Sequence, residues 1–242
     1  MRKMMLRVAL ISSAALVAGP ALANHWWGGY HWSLSGSELQ LDVVDAVNTA
    51  AWDSALNTAI SDWNVSRVLN FTKVSGAGVN AKKCSPIAGK IVVCNAAYGN
   101  RGWLGIAQIW LSNGHISQGT TKVNDTYYNT ATYNTTAWRS LVMCQEIAHD
   151  VGLDHQDENF NNANLGTCMD YTNNPATNQH PNQHDYAQLE EIYSHTHAAQ
   201  TNFAIREVGK APPQVGVPAE AAGGDSPGEW GRAIHFDGLG RP

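Results

Sequence analysis

The segment from Gln145 to His155 constrains the fold of this chain more than any other part of the sequence. On a helix, Gln145 and His149 lie one turn apart and share a face. Gly152 is placed to end that helix, because glycine readily takes the left-handed conformation that follows a helix C-terminus. The chain can then reverse and bring His155 back towards the same face. The segment therefore predicts a helix, a sharp stop and three converging side chains.

Such a group of side chains is suited to a metal ion. Catalytic zinc typically takes three protein ligands and keeps one position for water. Two of the ligands would be the imidazoles of His149 and His155, with Gln145 at the remaining position. Glu146 lies beside them and could take a proton from a water activated by the ion. The residues alone therefore indicate a metal-dependent hydrolytic site.

The same residues resemble the signature of the metzincin metallopeptidases, which is H-E-x-x-H-x-x-G-x-x-H followed by a Met-turn. Four positions match the long motif: Glu146, His149, Gly152 and His155. Downstream, Cys168-Met169-Asp170-Tyr171 resembles the Met-turn, with Met169 under the metal. Tyr171 stands where the astacin and serralysin branches have a tyrosine that can bind zinc and assist the transition state. The resemblance covers roughly residues 28–197.

This resemblance implies a secreted zinc-dependent metalloendopeptidase, a hydrolase that cleaves peptide bonds with a metal-activated water. Glu146 would be its general base and Tyr171 a second catalytic residue. The implied fold is α+β, with a twisted mixed β-sheet, an active-site helix, a Met-turn and a C-terminal helix. A peptide or protein substrate would pair along an edge strand, for which residues 104–112 are the candidate.

The chain departs from the family at Gln145, where the motif has its first histidine. A neutral amide oxygen is a poorer zinc ligand than an imidazole nitrogen. Three alternatives stay open: Gln145 binds through its oxygen, with or without Tyr171 as an added ligand; His180 or His184 completes the site; or the metal is absent. The retention of Glu146 favours metal-dependent hydrolysis. The alternative is a catalytically impaired, metzincin-fold secreted binding or adhesion protein.

The four cysteines form an even set, which fits two disulfide bonds in an exported protein. Four cysteines allow three connectivities. We favour Cys84–Cys94, which would close a short loop before a strand. We pair Cys144 with Cys168, which would tie the metal-bearing helix to the Met-turn.

The chain divides into three parts by composition. Residues 1–23 have a basic start, a short apolar run and a small-residue end, and are typical of a secretory signal peptide. We expect residues 24–198 to form the metallopeptidase domain and residues 199–242 a flexible Pro/Gly-rich tail, with a small element near residues 230–236. The product would be extracellular or periplasmic, a monomer, and without a membrane span. A net charge of −5 and the lack of a basic patch argue against a nucleic-acid partner.

Periodicity and turn residues predict the secondary structure of the domain. We expect a hairpin at Asn113-Gly114 and a cap at Thr136. The predicted helices are 45–63, 137–152 and 185–195, and the predicted strands are 39–43, 67–74, 90–95, 102–112 and 116–124.

Two further features lie near the motif. Asp154 is expected to orient His155 as a hydrogen-bond acceptor. The oxygen-rich loop at residues 157–164 is interpreted as a solvated turn, with calcium binding as an open alternative.

Overall fold

The structure is a computed structural model that describes residues 25–194 and 231–235. The predicted signal peptide and most of the predicted tail lie outside the described residues. Eleven elements follow one another: β1 Leu39–Ala46, α1 Ala50–Trp63, β2 Leu69–Ser75, β3 Lys90–Ala96, β4 Gly105–Ser112, β5 His115–Asn124, α2 Asp125–Tyr128, α3 Thr136–His149, a 3-10 turn Pro175–Thr177, α4 Gln183–Tyr193 and β6 Gly231–His235.

The strands form one mixed sheet in the order β2-β1-β3-β5-β4-β6. The first four in that order run parallel to one another, β4 runs antiparallel to β5, and β6 is parallel to β4. The β4–β5 turn has positive φ at both Asn113 (52°) and Gly114 (80°), the conformation of a two-residue type I′ hairpin. The expected hairpin and a twisted mixed sheet with few helices are therefore present.

The core lies between one face of the sheet and the helices α1 and α3. Residues alternate between the two faces along a strand, so Ile91 and Val93 of β3 join this main core. Val92 and Cys94 point to the opposite face, where they join a much smaller cluster. Trp63 at the end of α1 donates from its indole N–H to the carbonyl oxygen of Cys144 in α3, 3.0 Å away. This contact fixes α3 against α1.

The first helix is shorter than predicted. The structure extends β1 to Ala46 and begins α1 at Ala50, after the N-cap Thr49. The helical periodicity of residues 45–63 conceals this boundary, because Asp45 pairs with Ser75 in the β1–β2 ladder. Pairing with a distant strand overrides the local pattern there.

The strand predicted for substrate binding is not at the sheet edge. β4 has β5 on one side and β6 on the other, with Ile106 opposite Gly231 and Trp110 opposite His235. The family resemblance implied an edge position for 104–112, and nothing local in the sequence shows that a segment more than a hundred residues later pairs with this strand. Strand β6 falls at the small element expected near residues 230–236.

The described helices reach at most 14 residues. Within that part of the chain no helix has the length and apolar character needed to cross a membrane.

Candidate metal centre

Helix α3 carries the motif but ends three residues before the predicted end at Gly152, because residues 150–152 already form the turn. Its N-cap is Thr135, whose side chain accepts from the Trp138 N–H, rather than the predicted Thr136. The helix ends at His149, and Gly152 follows with φ at +94°. A Cβ on Gly152 would lie 2.1 Å from the Tyr30 carbonyl oxygen. Only glycine therefore fits this reversal.

The reversal brings the two motif histidines together. The Nε2 atoms of His149 and His155 lie 2.9 Å apart. The Nδ1 of His149 is 2.7 Å from the Leu153 carbonyl oxygen, and the Nδ1 of His155 is 2.9 Å from Oε1 of Glu158. Carbonyl and carboxylate oxygens only accept hydrogen bonds, so each Nδ1 must donate. In the neutral rings both Nε2 atoms then present lone pairs to each other.

Two facing lone pairs repel unless a cation or a proton lies between them. A tetrahedral zinc ion holds nitrogens at about 2.0–2.1 Å, which places two of them roughly 3.3 Å apart, close to the observed separation. Burial lowers the pKa of His155, although the hydrogen bond that its ring donates to Glu158 offsets part of this effect. The ring is therefore kept neutral, as a metal ligand must be. The histidine pair fits zinc.

Glu158 orients His155, and the sequence assigned this task to Asp154. The hydrogen bond to His155 lowers the pKa of Glu158, so the carboxylate is charged. Asp154 instead accepts from the backbone N–H of His155, at 2.7 Å, while its contact to the ring Nδ1 is 3.8 Å. Glu158 belongs to the loop that the sequence predicts to be a solvated turn, and an acidic residue three positions after a candidate ligand histidine is the signal that could have found it.

Glu146 is fully buried between α3 and the start of β4. A Cβ added to Gly105 would lie 2.7 Å from Oε1 of Glu146. The carboxylate therefore lies directly against the backbone of β4. Its negative charge also contributes to raising the pKa of Tyr128, after burial, which is the larger cause.

Gln145 is likewise fully buried on α3, one turn before His149. Within the described residues, neither its Oε1 nor its Nε2 has a hydrogen-bond partner. A buried amide without partners costs free energy on the order of 1–3 kcal/mol. A ligand at this amide would remove part of that cost.

The segment predicted as the Met-turn lies beside His155. Met169 is buried, and its carbonyl oxygen accepts from the Gln156 N–H at 2.6 Å, next to His155. The Tyr171 ring packs on His155 with centroids 4.4 Å apart and stacks on Phe160 at 4.8 Å. The structure thus brings Met169 and Tyr171 to the histidine pair.

Both predicted disulfides are confirmed. Cys84 is bonded to Cys94, and Cys144 to Cys168. The second bond joins α3 to the residue before Met169. The segment with Met169 and Tyr171, here called the floor of the site, is therefore covalently attached to the helix that carries Gln145.

The alternative histidines lie in other contacts. His180 is exposed, and its Nδ1 is 2.7 Å from Oδ2 of Asp62 near the end of α1. His184 stacks on His25 with centroids 4.9 Å apart. Sequence reasoning also missed Trp27, whose ring meets His149 edge-on at 5.9 Å. No local pattern places this residue there, since it lies 122 positions earlier in the chain.

The oxygens of the loop at 157–164 bond mostly within the loop. Asp157 accepts from the Asn159 N–H through Oδ1 and from the Asn162 amide through Oδ2, both at 2.6 Å. Asn159 in turn accepts from the Asn161 N–H at 3.0 Å. These are the bonds of a self-supporting turn.

Known structures give a partial likeness. No family model matches the chain, and no curated protein matches it. High choriolytic enzyme 1, a hatching-enzyme zinc-protease from Oryzias latipes, is 9% identical, covers 72% of this chain and 98% of its own, and has a TM-score of 0.38. Myroilysin is 11% identical, covers 69% and 87%, and has a TM-score of 0.40. Because both TM-scores are low, the chemistry of the site is inferred from its own residues.

Proposed function

We propose that this chain is a zinc-dependent peptidase whose ion is held by His149 and His155. The observation that carries the proposal is the 2.9 Å approach of their two Nε2 atoms, each on a ring whose Nδ1 donates to a fixed acceptor. Outer contacts of this kind orient metal-binding histidines in many sites. Gln145 supplies the third ligand through its amide oxygen, and its buried, unpartnered amide supports this role.

When bound, zinc would supply a Lewis acid that lowers the pKa of water and polarises a carbonyl group. Glu146 would act as the general base: its carboxylate accepts a proton from the attacking water and later passes it to the leaving amine nitrogen. Its burial against Gly105 places it where α3 meets β4. Tyr171 packs on His155 and would donate from its hydroxyl to the developing oxyanion.

We further propose that an extended peptide substrate pairs with β4. Strand β4 begins beside the Glu146 carboxylate, so a peptide hydrogen-bonded along it would run past the base. Strand β6 pairs with the outer side of β4. A peptide can therefore pair with β4 on that side only after β6 detaches from it. We also propose export of the chain, which the two disulfide bonds support.

The test combines metal content with activity. The purified protein should contain zinc by elemental analysis and cleave an unstructured protein such as casein, and a chelator should stop cleavage reversibly. Glu146→Gln should keep its zinc and lose activity by roughly 10²–10⁴-fold, the usual contribution of a general base. Glu38→Gln, in an exposed position ahead of β1, is the matched control and should behave as wild type.

The outcomes separate the two candidate functions. Zinc without cleavage would favour the impaired binding or adhesion protein, for which the covering of β4 by β6 is the structural argument. Cleavage that persists in Glu146→Gln would contradict the assignment of the base. If no zinc binds at His149 and His155, the proposed function as a whole is overturned.

A further inference from the structure

A second cluster of metal-binding side chains lies where the start of the described chain meets α4. It consists of His25, His184 and Asp185, each of which offers one ligand atom within 4.8 Å of the others. His184 and Asp185 belong to the first turn of α4. His25 and Asp185 are almost completely buried, and His184 is half-buried.

His25 is held rigidly, with one ring nitrogen facing the cluster. Its backbone N–H donates to Oε1 of Gln188 at 2.8 Å, and its carbonyl oxygen accepts from the Asp154 N–H at 2.7 Å. The ring Nδ1 lies 2.8 Å from the Asp154 carbonyl oxygen, so Nδ1 must donate. The lone pair of the neutral ring is then on Nε2, which lies 3.5 Å from Oδ1 of Asp185.

The contact between His25 and Asp185 is not an ordinary ion pair. Because Nδ1 donates to the Asp154 carbonyl oxygen, the lone pair on Nε2 of the neutral ring faces Oδ1 of Asp185, 3.5 Å away. Both side chains are buried. Two buried electron-rich atoms that face each other need a cation or a proton between them.

The three candidate ligand atoms are also the atoms that lack partners. Nε2 of His25, Nδ1 of His184 and Oδ1 of Asp185 have no hydrogen-bond partner within the described part of the chain. The other oxygen of Asp185 accepts from the Thr167 hydroxyl and, at 2.7 Å, from the Asn182 N–H. These two bonds hold the carboxylate so that Oδ1 faces Nε2 of His25, 3.5 Å away.

We propose that His25, His184 and Asp185 form a second metal site for a divalent first-row transition ion such as zinc. Two imidazole nitrogens and one carboxylate oxygen suit such ions rather than calcium or magnesium. The Thr167 and Asn182 contacts supply the outer support that metal sites commonly have. A bound ion would tie the segment at His25 to α4, and through the Asp154 hydrogen bonds it would brace the residue before His155. The site stands independently of the proposed peptidase function.

Zinc stoichiometry and affinity test this inference in the full chain. We expect two zinc ions per wild-type protein, one in His184→Asn, one in His149→Asn and none in the double variant. Removing one of three ligands should weaken zinc at the cluster more than about 100-fold, because even the loss of an outer partner costs about 10–100-fold. His180→Asn is the matched control, since this histidine contacts Asp62 instead, and it should bind two.

Thermal unfolding supplies a second readout that does not depend on activity. Added zinc should raise the melting temperature of His149→Asn, and this rise should disappear in the double variant. His184→Asn changes a half-buried side chain, and its fold is checked by circular dichroism. Thr167→Val, which removes only the support of Asp185, should weaken the same site by about tenfold.

The two sites can fail separately. If His184→Asn binds as much zinc as wild type with unchanged affinity, the second site is refuted and the cluster holds water or a proton. If His184→Asn loses an ion whereas His149→Asn loses none, the second site stands and the proposed peptidase function falls.

Discussion

Gln145 is the proposed third ligand beside the His149–His155 pair, and its amide oxygen is the weakest donor of the proposed set. We expect Gln145→His to tighten zinc by on the order of 10–100-fold, since an imidazole ligand should contribute at least as much as the outer contacts whose loss has that cost. Competition with a chromogenic chelator measures the affinity, and casein cleavage should rise when zinc is limiting.

Gln145→Leu tells whether the native amide coordinates. Leucine fills a similar volume without an oxygen, so zinc should be held more weakly if the amide is a ligand. An unchanged affinity in Gln145→Leu would refute coordination by Gln145.

Glu158 orients the proposed ligand His155 and should tune zinc affinity without touching the ion. In Glu158→Gln the charged acceptor of the His155 Nδ1 proton is replaced by a neutral amide, and zinc affinity should fall by about tenfold. Asp154→Asn is the matched control, because an asparagine oxygen can still accept from the His155 backbone N–H. If zinc affinity falls more in Asp154→Asn than in Glu158→Gln, Asp154 is the residue that orients His155, as the sequence predicted.

Strand β6 covers the side of β4 that a peptide would use, and its removal should raise activity. We expect Arg232→Pro with Ala233→Pro to detach β6, because proline has no N–H and adjacent N–H groups of a strand point to opposite sides. Loss of one or two ladder bonds is worth about 1–2 kcal/mol, so kcat/KM for casein-derived peptides should rise roughly 5- to 30-fold.

The control for β6 keeps its backbone intact. Arg232→Lys with Ala233→Ser retains both N–H groups and should leave kcat/KM at the wild-type value. If the proline variant is no faster than this control, β6 does not obstruct the substrate, and peptides bind elsewhere.

Local elements of the fold were predictable from the sequence, whereas long-range partners were not. The turn at Gly152 follows from short-range spacing and from the one residue type that fits there, although α3 ends at His149 rather than at the predicted Gly152. The covering of β4 by β6 and the contact of Trp27 with His149 join residues more than a hundred positions apart. Nothing in a single sequence specifies such pairings. The predicted start of α1 at residue 45 was wrong for the same reason, because Asp45 belongs to β1 and pairs with Ser75 of β2.

The molecule is unequal on the two faces of its sheet, and each disulfide bond serves one face. The main core with α1 and α3 covers one face, and Cys144–Cys168 joins α3 to the segment that contains Met169 there. The opposite face has only a small cluster that includes Cys84 and Cys94. We expect the two bonds to have similar effects on the free energy of unfolding. We expect only Cys144–Cys168 to affect zinc affinity, because only this bond lies on the face that carries the proposed metal site.

Removing each bond separately tests this division. The bonds close segments of 10 and 24 residues, so chain entropy predicts that either Cys→Ala pair lowers the free energy of unfolding by about 3 kcal/mol. Cys84→Ala with Cys94→Ala should leave zinc affinity unchanged. Cys144→Ala with Cys168→Ala should also weaken zinc at His149 and His155, because Met169 and Tyr171 are no longer attached to α3. Denaturant unfolding and zinc titration measure the two effects, and equal zinc affinity in both variants would show that the floor of the site holds its place without the bond.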